Sequence, residues 1–228
     1  MSADSAAAVI VAAGKGLRFG GSERKQFVTL GGLPVLEWAV SAFRTHPAIR
    51  YTVVVLPSED VASPPDWLDA TDRLVEGGDT RAASVSRGVG AVERDVDRIL
   101  VHDGVRPFVS PSLIARVCEA AVGDAVVPVL SLSDTIKEVD PQGRIVGTSD
   151  RSRLCRAQTP QGFPADLLRR LCATEPGDAC ITDDAMLCER AGIEVKTVEG
   201  DPHNLKITSN EDLEYARWLI EKGLIVPP

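Results

Sequence analysis

The sequence predicts an α/β fold in which a mostly parallel sheet is flanked by helices. Three observations carry that reading. Short apolar runs rich in branched residues alternate along the chain with segments of helical periodicity. The first such run opens directly into a glycine-rich loop, the strand-to-loop order of a Rossmann-like domain. Between Ser131 and Gln158 the alternation stops, and two short β-prone stretches flank a turn. Together they describe a single domain over residues 1–228 with a projecting β-hairpin arm at 131–158.

Four runs read as buried strands: Ala6 to Ala12, Tyr51 to Leu56, Arg98 to His102 and Ala125 to Val129. Between them, Leu36, Ala39, Val40 and Phe43 share one helical face, and Leu113, Ile114, Val117, Cys118 and Ala121 share another. In the arm, Thr135 to Val139 and Arg144 to Thr148 flank Asp140-Pro-Gln-Gly, a sequence suited to a turn. The α/β pattern then resumes, with helices expected near Ala165 to Cys172 and Asp183 to Arg190 and a strand at Glu194 to Glu199. Ser209, three residues before Asp212, caps a last helix that ends near Lys222.

Composition excludes several functions. Hydrophobic residues make up 44% of the chain, enough to bury a sizeable core. No apolar run reaches the roughly 18 residues of a membrane span, and Met1-Ser-Ala-Asp lacks the pattern of a signal peptide. A cytoplasmic protein without a membrane partner is expected. A net charge of −8 leaves no general basic surface for nucleic acid. Five cysteines without a Cys-x-x-Cys pair read as reduced thiols, and with three histidines a zinc site is disfavoured, so any metal would be held by carboxylates.

The strongest local signal is Val9-Ile-Val-Ala-Ala-Gly-Lys-Gly-Leu-Arg-Phe-Gly-Gly-Ser-Glu-Arg-Lys25. Glycine removes the steric barrier between backbone N–H groups and a phosphate, and Arg18 and Lys25 add two charges suited to a triphosphate. A strand-to-helix turn with solvated basic residues is the alternative. Two better-known loops are excluded: Phe19 stands where a dinucleotide fingerprint needs its third glycine, and no Gly-Lys-Ser or Gly-Lys-Thr occurs. Asp103 follows an apolar strand, at the sheet edge where α/β ligands bind; an ion pair with Arg106 is the alternative there.

A strand ending in Ala-Ala-Gly-x-Gly-x-Arg, with a lysine seven positions after the arginine, resembles the signature of sugar-phosphate nucleotidyltransferases. Further matches are Glu76-Gly-Gly-Asp-Thr-Arg-Ala-Ala-Ser84, Val101-His-Asp-Gly-Val-Arg-Pro107, Asp134-Thr-Ile-Lys137, Asp150-Arg151, Thr159-Pro-Gln161, Thr182-Asp-Asp184 and Asn204-Leu-Lys206. In order and spacing they resemble the methylerythritol phosphate cytidylyltransferases, from about Ala7 to Leu213. The resemblance implies an enzyme that transfers CMP from CTP to 2-C-methyl-D-erythritol 4-phosphate, a sugar-alcohol phosphate, and releases pyrophosphate with the help of Mg²⁺.

It also implies roles for particular residues. Arg18 and Lys25 are the catalytic cations. Ala12, Ala13, Gly14, Gly78, Asp79 and Ser84 hold the cytidine, while Arg81 has a solvated helix start as its alternative. Asp103 contacts metal and acceptor, and Arg106 the acceptor; some relatives carry an acid where this chain has His203, so no second metal ligand is named. Thr135 and Arg151 reach the acceptor from the arm, and Thr159, Thr182 and Lys206 from the core. A homodimer follows, with each arm lent to the partner's site. A phosphate monoester is already anionic near neutral pH, so no general base is needed; His46 and His102 read as structural, and Cys155 as an ordinary packed thiol.

Overall fold

The computed structural model describes residues 5–14, 24–68, 72–174 and 177–228. Its first strand, β1 (Ala6–Val11), has no polar side chain: Ala7 and Val9 face one side of a sheet, and Ala8 and Ile10 the other. Both faces therefore need a cover. A small hairpin follows, β2 (Thr29–Leu30) and β3 (Leu33–Pro34), turning at Gly31 and Gly32 with φ of 59° and 89°. Helix α1 (Val35–Arg44) then lays Leu36, Val40 and Phe43 on the Ala8 face. The chain continues through β4 (Ile49–Leu56), the single turn α2 (Ser58–Ala62) and β5 (Asp72–Glu76), with β4 parallel to β1 and β5 parallel to β4.

Helix α3 (Arg81–Gly90) crosses to the other face, capped by the Thr80 hydroxyl, which accepts from the Ala83 N–H. Gly88 allows it to lie close, since a Cβ there would stand 2.5 Å from Val9 Cγ1. The chain returns as β6 (Arg98–Asp103), parallel to β1 on the side away from β4. Then come α4 (Pro111–Ala120), which joins α1 on its face, and β7 (Ala125–Ser131). The arm is β8 (Ile136–Val139) paired antiparallel with β9 (Ile145–Ser149), a two-stranded sheet of its own, with both strands within a residue of expectation.

After the arm follow β10 (Cys155–Ala157), β11 (Gln161–Pro164), α5 (Ala165–Thr174), α6 (Ala185–Arg190), β12 (Val195–Glu199) and α7 (Asn210–Glu221). Among the described residues the main sheet has eight strands in the order β10-β7-β11-β6-β1-β4-β5, and β12 pairs with β7. Four neighbouring pairs are parallel, while β10 and β11 run antiparallel to theirs. Sequence periodicity gave no sign of β5, β10 or β11. Each is five residues or fewer, and β11, Gln161-Gly-Phe-Pro, combines glycine and proline that count against a strand in isolation. Tertiary packing overrides this: a Cβ on Gly162 would stand 2.6 Å from Val117 Cγ1, so α4 lies directly over the strand. The last helix carries the expected cap in full, with Ser209 and Asp212 forming a reciprocal capping box. No helix among the described residues is long and apolar enough to cross a membrane.

Candidate active site

The parallel strands end together. Val11 lies beside both Val55 and Asp103, and Leu56 beside Glu76, so the loops after β1, β4, β5 and β6 share one sheet edge. From β1 the chain moves outward through β4 and β5, and α3 carries it back to β6, so the direction of winding reverses next to β1. Such a reversal leaves a crevice beyond the carboxyl ends of the strands. A cleft of about 330 Å³ opens there, between Val11–Gly14, Gly78–Arg81, Asp103 and Lys206. Ala12, Ala13, Gly14, Lys25, Gly78, Asp79, Ser84, Asp103 and Lys206 of the expected set line it. Arg18 lies outside the described residues.

Small residues bring the backbone to the cleft wall. A Cβ on Gly77 would stand 2.1 Å from Ala13 Cβ, and one on Gly78 2.5 Å from Ala83 Cβ, so glycine lets this loop lie against the loop after β1 at Gly77 and against α3 at Gly78. Ser84 Oγ accepts from the Gly78 N–H at 3.0 Å and donates to the Thr80 carbonyl at 3.0 Å, which fixes this turn onto the first turn of α3. Gln26 was not anticipated. It is 1% exposed and donates to the carbonyls of Ala12 and Gly14 at 2.9 and 3.2 Å, tying the residue after Lys25 to the loop after β1. A lone glutamine beside a charged loop gives no periodic signal by which to find it.

Charge gathers on Asp103. Arg81 Nε donates to Oδ1 at 3.2 Å, Lys206 Nζ donates to Oδ2 at 2.8 Å, and Arg106 Nε stands 3.6 Å from Oδ2. Burial alone would raise the carboxyl pKa, but Arg81, Lys206 and Arg106 outweigh it and hold Asp103 well below the usual carboxylate range. The solvated alternative for Arg81 is thereby corrected. Its guanidinium lines the cleft and is held by two buried carboxylates, because Asp184 accepts from its two terminal nitrogens at 2.9 and 2.8 Å. Asp184 closes the Thr182-Asp-Asp184 motif, but the sequence gives it no role, since its partner lies 103 residues away along the chain.

Behind Asp103 sits a buried polar layer. Thr159 Oγ1 accepts from the Asp103 N–H at 3.1 Å and meets His102 Nδ1 at 3.1 Å, while His102 Nε2 meets the Arg106 carbonyl at 3.1 Å. Burial lowers the His102 pKa to about 4, despite the bond to the Arg106 carbonyl and the charge of Asp103. The ring is therefore neutral and enclosed, against Phe43 at 4.9 Å, as the structural reading expected. Arg106 donates to the Asn204 carbonyl at 2.9 Å, and Asn204 Nδ2 to the Thr159 carbonyl at 2.7 Å. Arg106 and Thr159 thus support Asp103 from below and do not line the cleft. Thr182 is exposed and also outside the lining. Thr135 and Arg151 are exposed at one end of the arm, where Arg151 donates to the Ser133 carbonyl, and neither lines the cleft of its own chain.

Asp103 was the expected metal contact. No cluster of three or more His, Cys, Asp or Glu able to hold an ion occurs among the described residues. Mg²⁺ asks little of a protein when it arrives on a triphosphate, and one carboxylate oxygen is a suitable ligand. Each of its oxygens already accepts from a cation, so an ion bound there would share its oxygen with Arg81 or Lys206 through the second lone pair.

Glycine-lined loops, a strand-end carboxylate and three cations, Lys25, Arg81 and Lys206, at a topological switch point define a nucleotidyl-transferring α/β enzyme of the sugar-phosphate nucleotidyltransferase superfamily. A family model described as 2-C-methyl-D-erythritol 4-phosphate cytidylyltransferase matches residues 6–222, and the chain belongs to that family. It is 46% identical over 218 residues to the protein of that description from Rhodococcus jostii (strain RHA1), covering 95% of each chain. Among solved structures it is similar to the 4-diphosphocytidyl-2C-methyl-D-erythritol synthase from Anaerococcus prevotii DSM 20548, at 30% identity and a TM-score of 0.84 over 96% of both chains. The 2-C-methyl-D-erythritol 4-phosphate cytidylyltransferase from Thermus thermophilus is similar at 36% identity and a TM-score of 0.76, over 93% of this chain and 98% of that one.

Proposed function

We propose that this enzyme transfers CMP from CTP to 2-C-methyl-D-erythritol 4-phosphate by direct in-line displacement, giving 4-diphosphocytidyl-2-C-methyl-D-erythritol and pyrophosphate for isoprenoid precursor synthesis. The observation that carries the reading is the convergence of Gly14, Gly78, Lys25 and Lys206 on one cleft at the switch point. An oxygen of the acceptor phosphate forms the new bond to the α-phosphorus of CTP. The bond to the bridging oxygen breaks, and its electron pair leaves with pyrophosphate. Two anions must approach, so the protein's part is positioning and charge compensation. Ala12, Ala13, Gly14, Gly78, Asp79 and Ser84 hold the cytidine, Arg18 and Lys25 meet the crowded charge at the α-phosphate, and Lys206 meets the acceptor. A side-chain base has no part in this route, in keeping with the enclosed, neutral His102. Mg²⁺ bound with the nucleotide near Asp103 would supply neutralisation of the departing pyrophosphate.

A homodimer closed through the 131–158 arm belongs to the same reading. Val139, Ile145 and Val146 are 61%, 65% and 64% exposed on a two-stranded sheet, a form of structure that needs a packing partner to be stable. In such a dimer Thr135 and Arg151 would serve the partner's acceptor pocket, and Arg106, Thr159 and Thr182 would support or border it. A reducing cytoplasm suits the five unpaired cysteines; Cys155, expected to be packed, is instead exposed, because β10 lies at the edge of the sheet. The decisive experiment is pyrophosphate release with CTP and either 2-C-methyl-D-erythritol 4-phosphate or ribitol 5-phosphate. Turnover with the first acceptor and little with the second is expected. A preference for ribitol 5-phosphate, or no turnover with either, would reject the reading.

A further inference from the structure

Asp184 is 1% exposed and has no part in the transfer route above, yet it grips Arg81 through both terminal guanidinium nitrogens. A carboxylate facing an arginine fork fixes both the direction and the plane of the guanidinium. Arg81 is left to turn only Nε toward Asp103 Oδ1, and Oδ2 remains for Lys206. Asp184 is itself held in place. The buried Gln161 accepts from the N–H groups of Asp184 and Ala185 at 3.0 and 2.9 Å and donates to Asp183 Oδ2 at 2.9 Å. Gln161 sits on β11 opposite Val101 of β6, two residues before Asp103, so the paired strands carry Asp103 directly and hold Asp184, at the start of α6, through Gln161.

We propose that Asp184 is a positioning residue for Lys206: by clamping Arg81 it stops the guanidinium from closing on both oxygens of Asp103, and so keeps Oδ2 as the anchor of Lys206. The inference rests on the cytidylyl-transfer reading of the cleft. Without the clamp, Arg81 gains a free fork next to the nearest remaining carboxylate. Bidentate pairing outcompetes a single ammonium, and Lys206 loses the contact that directs it. A purely structural Asp184 would instead act on stability, with no dependence on Arg81.

The test is steady-state pyrophosphate release by Asp184→Asn, with CTP and methylerythritol phosphate varied in turn. Turnover should fall roughly 10- to 100-fold while the CTP KM stays within about threefold, because the groups that hold the cytidine are untouched. In an Arg81→Gln background the same change should alter turnover by less than about twofold, because its target is gone. The melting temperature should rise there, because a buried carboxylate without its cation has been removed. Wild-type turnover in Asp184→Asn, or an undiminished loss in the Arg81→Gln background, overturns the proposal. If Asp184→Asn does not fold, Asp184→Glu takes its place: it keeps the buried charge but its added methylene moves the carboxylate out of register with the Arg81 fork, so the same split in constants is expected at smaller size, and near-normal turnover overturns the proposal. Absence of pyrophosphate release by the wild-type enzyme would instead reject the cytidylyl-transfer reading itself.

Discussion

The cleft and the arm solve opposite problems. In the cleft, charges from distant parts of the chain meet under cover: Arg81 donates to both Asp103 and Asp184, and Asp103 is backed by the layer of Thr159, His102, Arg106 and Asn204. The arm keeps its polar contacts within itself. Asp140 accepts from Gln142 and Arg144, Lys137 donates to Thr148, and Ser149 donates to Glu138, while Val139, Ile145 and Val146 stay exposed. A preorganised site can compensate charge within one chain, whereas a two-stranded projection without a core of its own has to find cover elsewhere. Changes in the cleft should therefore act on chemistry, and changes in the arm on what the arm meets.

Lys25 offers the largest expected effect. Lys25→Ala should lower turnover about 100- to 1000-fold with a much smaller change in the CTP KM, as befits a charge needed most in the transition state. Near-normal turnover would remove Lys25 from catalysis and weaken the contrast at its root.

Acid should act on the cleft layer next. The folded His102 titrates near 4, below the 6.5 of a free imidazole, so the unfolded chain binds a proton that the folded chain refuses. Stability contributed by the neutral ring is thus complete above about pH 6.5 and declines toward about pH 4, by about 3 kcal/mol in all. Asp103, held well below the usual carboxylate range, remains ionised across that window. Urea unfolding near both ends of the window measures the difference, and a flat profile would contradict the enclosed ring.

Mixing subunits separates the two regions directly. Lys25→Ala damages the cleft and Arg151→Ala the arm. After the inactive proteins are refolded together in equal amounts, half of the dimers should be mixed, each with one intact site, and about a quarter of wild-type activity should return. No recovery, with exchange verified by differently tagged chains, would mean that Arg151 serves its own chain. The smallest effect belongs to the arm's turn, where Gly143 has a φ of 79° and open space around it. Gly143→Ala should cost about 1 kcal/mol through backbone strain alone. Thermal melting and the dimer dissociation constant report it, and a loss of CTP binding by this variant would tie the arm to the nucleotide and blur the division.

By itself the sequence determined the elements whose cause is local. Runs of branched apolar residues marked β1, β4, β6 and β7, helical stripes marked α1 and α4, Asp140-Pro-Gln-Gly marked the arm's turn, and Ser209 marked the start of α7. It also supplied the ordered motifs on which the family resemblance rested, including Asp103 at a strand end. Tertiary structure alone decided which charges meet. Arg81 and Asp184 are 103 residues apart, as are Asp103 and Lys206, and neither pair has a period or spacing that links it. Their meeting depends on α3 returning the chain beside β1 and on β11 entering the sheet against the direction of its neighbours. Those are choices of long-range pairing, set by how the faces of the whole sheet are covered. For the same reason Gln26 looks ordinary in the sequence and Gln161 stands in a matched motif without a role, because a buried amide acquires its task only from the backbone groups that packing brings to it.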